Sequence, residues 1–564
     1  MNFRILLLAT TLLTTHCTTP QTEQRKQGLL SQNGMVVSAH TLASEAGKEI
    51  LQSGGNAFDA AVVTHFVLAV VYPQAGNIGG GGFAVFRFSN GDTGSLDFRE
   101  KAPLAASTNM YLDENGEVIQ GKSLTGHLAV GVPGSVDGLY NLHSKYGQLP
   151  WSTLIQPAID LAKNGHAINE TLAQELNRFK NKFLEVNQRE TVYTKVNNWQ
   201  KGDTLINADL AKTLSTIQTQ GSEGFYSGWV AEALSKESKK GNGLITLEDL
   251  KKYKSKWRQP LVGTYKNRKI ITMAPPSAGG VTLLQMLQGS EQFDFKKSGH
   301  NSTATIHQMI EIERRGYADR ATYLGDPDYV EIPLDKLLSS DYNKEKFSDI
   351  DLTKATPSEH IKEGQVEVIE SMETTHFSIL DSEGNAVAIT TTLNSYFGSK
   401  VVIEGAGFFL NNEMNDFSMK SGVPNQFGLI STTVNSIEPE KRMLSSMTPT
   451  IVENNDRIEM ILGTPGGSTI ITSVYQTILN MIDHNMTMQE AVDAPKFHSQ
   501  WLPDKVYFEE GKFDQTVLDS LQQMGHSIQL RESLGKLECI YVYEDGTIEG
   551  APDITRNESA AAGF

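Results

Sequence analysis

The chain has 564 residues, 39% hydrophobic and 20% charged, the make-up of an ordinary globular protein with room for a substantial core or for two or three domains. A formal charge of −17 argues against nucleic acid or anionic membrane surfaces as partners. Two cysteines, Cys17 and Cys539, exclude a disulfide framework and a cysteine-built zinc site.

Arg4 followed by the apolar run Ile5 to Leu13 reads as a signal peptide over residues 1–17, since the run is too short to span a bilayer. The expectation is export, to the periplasm or outer surface of a bacterial cell. Cys17 stands where lipoproteins carry their lipidated cysteine. His16 and Thr14 fit the residues before such a cysteine poorly, so a lipid anchor stays open beside plain export. Residues 18–32 read as a polar linker.

Met35 to Ala39 reads as a strand and Ser44 to Gln52 as a helix with Ala46 and Ile50 on its buried side. After Gly54-Gly55, Ala57 to Val71 predicts a nearly all-apolar, buried helix. The glycine cluster from Gly76 to Gly82 runs into a strand, Ala84 to Phe88. No G-K-[ST] follows and no helix opens, so the glycines predict close backbone packing rather than a phosphate loop. Leu96-Asp97-Phe98-Arg99-Glu100 closes the hairpin that begins at Phe83. Ser123 to His127 and Gly131 to Gly134 read as turns, and Trp151 to about Asp249 as mainly helical. Pro275 to Gly280 is a loop backed by a helix, Val281 to Leu287. Thr305 to Thr322 is a helix whose Glu311, Glu313, Arg314, Arg315 and Asp319 read as a solvated, ion-paired face. Ala355 to Glu370 is polar and without period, suited to a loose tail.

From Glu373 to Asn394 two runs rich in Thr, Ile and Val flank Asp381-Ser382-Glu383-Gly384-Asn385, which has the residue types of a tight turn. A hairpin centred on Glu383 sets Thr374 opposite Thr392, with Cβ atoms roughly 4.5–5.5 Å apart. By pattern alone such a pair does no more than stabilise a sheet, and His376, on the same face as Thr374, reads as structural. Gly407 to Phe417 reads as a buried apolar strand ending in a polar cluster, and Lys420 to Ser431 as a loop. Gly463-Thr464-Pro465-Gly466-Gly467-Ser468 precedes Ile471, Val474, Tyr475, Ile478, Leu479 and Ile482, an amphipathic helix, so the two glycines sit where free N–H groups and the positive dipole end gather. A strand pair ending at Ile540 to Val542 follows.

Five of these segments carry a resemblance, in order: L-D-F-R-E at 96–100, E-T-T-H-F-S with G-N-A-V-A and T-L-N at 373–394, N-N-E-M-N-D-F at 411–417, S-S at 445–446 and G-T-P-G-G-S at 463–468. From Met35 to Phe564 the chain resembles the γ-glutamyltranspeptidases (glutathione hydrolases), which are N-terminal-nucleophile (Ntn) hydrolases. The resemblance implies an α+β fold, a four-layer αββα sandwich. It also implies one domain built from a large subunit, 33–373, and a small subunit, 374–564, after self-cleavage between Glu373 and Thr374.

By the same resemblance Thr374 is the nucleophile, Thr392 orients it, and the amides of Gly466 and Gly467 hold the oxyanion. Arg99, Ser445 and Ser446 would hold a donor's α-carboxylate, and Asn394, Glu413 and Asp416 its α-ammonium. The implied partners are glutathione and other γ-glutamyl compounds, with water or an amino acid or peptide as acceptor. The implied chemistry calls for no metal and no organic cofactor. The residue types suit it, because cleavage would free a threonine α-amine with an unperturbed pKa of about 7.7–8.0, a base for the hydroxyl beside it. Guanidinium meets carboxylate with two parallel hydrogen bonds, and carboxylates are natural partners for an ammonium.

Three departures stand out: Asn415 where a second aspartate is usual, Met443 where proline is common, and Phe427 in the lid loop where tyrosine is frequent. Rival readings are a β-lactam acylase of the same family, which would not need the full clamp on both α-groups, an asparaginase-type Ntn amidase, which would share the chemistry but not the L-D-F-R-E or P-G-G-S motifs, and a non-catalytic exported binding protein of the same fold, in which loss of Thr374 or of the clamp is expected. No G-x-S-x-G occurs, which sets a serine hydrolase aside.

Overall fold

Along strand Glu373–Leu380 alternate side chains part to opposite faces. Phe377 and Ile379 join an apolar cluster shared with helices Thr41–Gln52, Ala57–Val71 and Trp151–Asn164, whereas Leu380 joins a cluster shared with a second sheet. Its hairpin partner Ala386–Asn394 divides likewise, Val387 and Ile389 against Ala386 and Ala388, and is buried throughout. A strand covered on both faces belongs at the centre of a layered domain. The computed structural model that establishes this describes residues 25–360, 373–553, 555 and 558–564. The signal peptide with Cys17, the first part of the polar linker and residues 361–370 of the polar tail lie outside them.

The first sheet runs in the order Ala560–Gly563, Met35–Ser38, Glu373–Leu380, Ala386–Asn394, Gly81–Arg87, Thr93–Asp97, Lys256–Arg258. The second runs Leu29–Ser31, Ile548–Pro552, Glu538–Val542, Arg457–Leu462, Thr450–Asn454, Arg268–Thr272, Leu261–Tyr265. Met35, Val37, Phe83 and Val85 of the first meet Ile271, Ile451, Ile461 and Ile540 of the second. Helices Gly279–Ser290, Thr303–Tyr323 and Thr469–Ile482 cover the far face of the second sheet. The result is the αββα sandwich.

Local chemistry explains the elements. The helix Ala57–Val71 starts where Asn56 accepts from the Phe58 and Asp59 N–H groups while Asp59 accepts from the Asn56 N–H. The glycine cluster does pack backbone on backbone: a Cβ at Gly79 would stand 2.1 Å from the Phe409 carbonyl oxygen, at Gly80 2.0 Å from that of Thr392, and at Gly82 2.4 Å from that of Thr390.

Three expectations need correction. The charges of helix Thr303–Tyr323 are paired but not solvated: Glu311, Glu313, Arg314, Arg315 and Asp319 are all buried, because the helix is covered on several sides, and each has partners inside the protein. Arg315 bonds Glu311 at 2.6 Å, the Ser499 N–H donates to Glu313, and Tyr342 donates to Asp319. Gly407 to Phe417 is buried but is no strand. Its backbone bonds to scattered neighbours in place of one ladder, the Leu410, Asn411 and Asn412 N–H groups meeting the carbonyls of Val401, Gly79 and Leu393, while the Asn411 and Asn412 side chains donate outward to the carbonyls of Gly79, Gly131 and Leu124. Glu413–Asp416 then turns as a 3₁₀ helix. The polar tail is anchored at its start, where the Ala355 N–H meets the Met524 carbonyl and the Ser358 hydroxyl that of Trp501.

Because Gly80 abuts the Thr392 carbonyl, Gly80→Ala should destabilise the protein by about 1–3 kcal/mol, the usual penalty of overpacking, read as a lowered Tm. An unchanged Tm would show that this contact gives way freely.

Candidate active site

Thr374 and Thr392 face each other across the hairpin, in the register set by the turn at Asp381 to Asn385, and a bulge between Glu373 and Thr374 brings Glu373 opposite Asn394. Both threonines are buried. The Thr374 hydroxyl points to Thr392 Oγ1 at 3.4 Å, a long contact that aims the group without tying it. Thr392 is itself fixed, its Oγ1 accepting the Asn394 N–H at 2.7 Å and its carbonyl accepting from Asn77 at 3.0 Å. His376, one step along the same face, is engaged at both ring nitrogens, by Thr390 at 2.9 Å and Ser378 at 3.1 Å. Its place is structural.

Beside Thr374 lies a small cavity of about 20 Å³, room for about one water. Its wall includes Arg99, Asn394, Glu413, Asp416, Ser445 and Ser446 together with Thr374, Thr392 and Gly467. Of the residues expected at the site with described side chains, only Gly466 does not reach this wall; it sits one step back, at φ 138°, before Gly467 at φ 54°. Two successive positive φ values are the reason glycines stand there. Helix Thr469–Ile482 starts just beyond, with the Thr469 N–H on the Gly466 carbonyl.

The charged half-sites meet each other. Arg99 forms ion pairs with Glu413 and, at 2.5 Å, with Asp416, and Glu100 lies 3.5 Å from the same guanidinium. Burial holds Glu413 and Asp416 above the usual carboxylate range, against the pull of Arg99. Arg99 is pinned from behind, its Nε donating to the Met443 carbonyl and its own carbonyl accepting from Tyr253. Asn415 turns away, donating to Ser123 at 2.8 Å, so its replacement of an aspartate leaves the Arg99 cluster untouched.

One feature escaped the sequence reading. Arg320, on the helix whose charges looked solvated, is wholly buried and lines the cavity; it donates to Ser446 Oγ at 3.2 Å, and burial lowers its pKa to about 10. By filling an acceptor position of that hydroxyl it leaves the Ser446 proton free to point elsewhere. Helical period could place Arg320 on the helix but not say which face another layer would cover. The loop that the resemblance marked as a lid does lie over the cavity: Phe427 and Leu429 line it, and a Cβ on Gly467 would stand 2.5 Å from the Phe427 ring. Elsewhere, His307, Glu311 and His526 come together, but that carboxylate is already paired with Arg315.

The chain is similar to known proteins over most of its length. The family model described as gamma-glutamyltranspeptidase matches residues 43–563. The chain is 44% identical over 536 residues to the glutathione hydrolase proenzyme of Escherichia coli (strain K12), covering 95% of this chain and 92% of that one. Among solved structures it is similar to the Helicobacter pylori gamma-glutamyltranspeptidase, 46% identical with a TM-score of 0.56 over 60% of this chain and 96% of that one. The cephalosporin acylase of Bacillus halodurans shares the fold, with a TM-score of 0.82 at 24% identity over 98% of this chain and 99% of that one.

Burial, opposed by Arg99 and reinforced by Asp416, raises the Glu100 carboxyl to about 7 from 4.5. Between those values the folded protein holds a proton that the unfolded chain has lost, so this group draws stability down as pH rises through the window. Glu100→Gln removes that term, and its Tm should climb relative to the wild type as pH is raised from 4.5 to 7. A constant difference across the range would contradict it.

Proposed function

The chain belongs to the γ-glutamyltranspeptidase family, and on that premise we propose that it is a self-cleaving γ-glutamyltransferase and glutathione hydrolase working through a threonyl acyl-enzyme. The observation that carries this reading is the juxtaposition of the Thr374 hydroxyl with a cavity whose wall carries the Arg99 guanidinium paired with the Glu413 and Asp416 carboxylates. A γ-glutamyl group ends in a zwitterion, one carboxylate and one ammonium. It can replace the internal pairs one for one: Arg99, with Ser445 and Ser446, turns to the α-carboxylate, and the ammonium takes the place of Arg99 between Glu413, Asp416 and Asn394. No buried charge is left unmatched by that exchange, which is what burial demands.

In the precursor, Thr374 Oγ attacks the Glu373 carbonyl carbon. The C–N bond breaks as the amine leaves with a proton, giving an ester that water hydrolyses. Large and small subunits then stay together as a heterodimer, and the freed Thr374 α-amine becomes the base. In turnover that amine accepts the hydroxyl proton as Oγ attacks the donor's γ-carbonyl. The oxyanion is held by the Gly467 amide with that of Gly466, each such donor being worth about 10²–10³ in rate. The proton passes to the leaving amine, and water or the amine of an amino acid or peptide opens the ester.

The shared acylase fold supports no more than the architecture, and the complete clamp favours γ-glutamyl donors over acylase substrates. We also read residues 1–17 as an export signal, which places the enzyme in the periplasm or on the outer surface, lipid-anchored if Cys17 is modified. Fractionation of cells should find it outside the cytoplasm, and a cytoplasmic pool alone would reject that assignment.

Thr374→Ala should lower γ-glutamyl anilide turnover by about 10⁴-fold or more, as loss of a nucleophile does; near-normal turnover would remove Thr374 from the mechanism. Arg99→Lys keeps the charge but loses the fork. Since a hydrogen bond to a charged group contributes about 1.5–3 kcal/mol, the donor KM should rise about 10- to 100-fold with a smaller change in kcat. An unchanged KM would take Arg99 out of donor binding.

A further inference from the structure

The loop over the cavity carries phenylalanine at 427, so no phenol can fasten it, yet it is fastened. The Asn425 side chain does this with both ends. Its Oδ1 accepts the Phe427 N–H at 2.9 Å and the Leu429 N–H at 3.1 Å, shaping the turn that lays the Phe427 ring on Gly467. Its Nδ2 donates to Asp416 Oδ1 at 3.2 Å. A second amide grips nearby, where Ser395, the residue after Asn394, donates to Gln426 Oε1 at 2.8 Å. Behind the loop, Gln500 donates to the Phe427 carbonyl at 3.1 Å.

Asp416 thus divides its two oxygens, Oδ2 to Arg99 and Oδ1 to Asn425. We propose that Asn425 is a specificity-determining residue that couples closure of the 420–431 loop to the donor's α-ammonium through Asp416. The inference rests on the function proposed above. When a donor draws Arg99 to its carboxylate, its ammonium inherits Oδ2 and keeps Asp416 ionised, and the Asn425 bond to Oδ1 persists. A donor without the ammonium leaves a buried carboxylate uncompensated. Asp416 then takes up a proton or turns toward solvent, the Asn425 bond weakens, and the loop opens before the acyl transfer is complete. Closure, and with it the seating of Phe427 against Gly467, is selective for α-amino donors.

The test separates the latch from the turn. Asn425→Asp keeps an oxygen to accept the Phe427 and Leu429 N–H groups but replaces the amide that donates to Asp416. Hydrogen–deuterium exchange over residues 420–431 is measured in self-cleaved wild type and variant, each with L-glutamate or with glutarate, which lacks only the α-ammonium. In the wild type glutamate should slow exchange at least about threefold and glutarate should not. In Asn425→Asp neither should, and the KM for a γ-glutamyl anilide should rise about 10-fold with kcat changed less than about threefold.

Equal protection by glutarate in the wild type, or full protection of Asn425→Asp by glutamate, overturns the latch. Should the variant not cut itself, the glutamate–glutarate comparison on wild type decides alone. A wild type that turns over γ-glutamyl anilide while its loop ignores glutamate also overturns the latch. One that leaves the anilide untouched overturns the proposed function instead.

Discussion

The pairing of Thr374 with Thr392 is the constraint on which the rest of the site depends. It is fixed by the turn at Asp381 to Asn385 and enforced on both sides of the hairpin, by Met35–Ser38 on one edge and Gly81–Arg87 on the other. A one-residue slip would turn Phe377 and Ile379 out of the helix-facing core and Thr374 away from the cavity. Burial of the apolar set therefore fixes the orientation of the hydroxyl. The glycines at 79–82 belong to the same constraint, since they let the neighbouring chain approach the Thr390 and Thr392 carbonyls.

Electrostatics supplies the second half of the design. Placing a guanidinium and two carboxylates inside a protein is costly unless they meet. Here Arg99, Glu413 and Asp416 satisfy one another while lining the cavity beside Thr374. Such a cluster is a poor site for a simple anion or cation, because either would leave one partner unmatched. A zwitterion matches both. The charge pattern thus selects an α-amino acid end, while the position of Thr374 selects where along the ligand the reactive carbonyl must fall.

Much of this was legible in the sequence, for definable reasons. The hairpin and its register followed from period-2 alternation around a strong turn, and the helices Ala57–Val71 and Thr469–Ile482 from apolar content and period. Packing by the glycine cluster followed from the strand after it. The site residues themselves were legible only through family resemblance, since a lone arginine on a strand or a serine pair in a loop has no periodic signature. What failed was burial by the other layers. The charges of Thr303–Tyr323 looked solvated because the sequence does not reveal that a second helix and the 497–508 strands cover them, and so Arg320 passed unnoticed. Gly407 to Phe417 looked like a strand because its apolar run is real, whereas its backbone N–H groups bond to carbonyls of separate segments, at Val401, Gly79 and Leu393, rather than to one partner strand.

The central claim is that the chain cuts itself to make Thr374 an N-terminus, and intact mass with N-terminal sequencing of the purified wild-type protein tests it most directly. The account predicts two tightly associated fragments, the smaller beginning Thr374-Thr375-His376-Phe377. A single uncut chain after prolonged incubation, or a cut at any other bond, would contradict it, because Thr374 would then have no α-amine to act as its base.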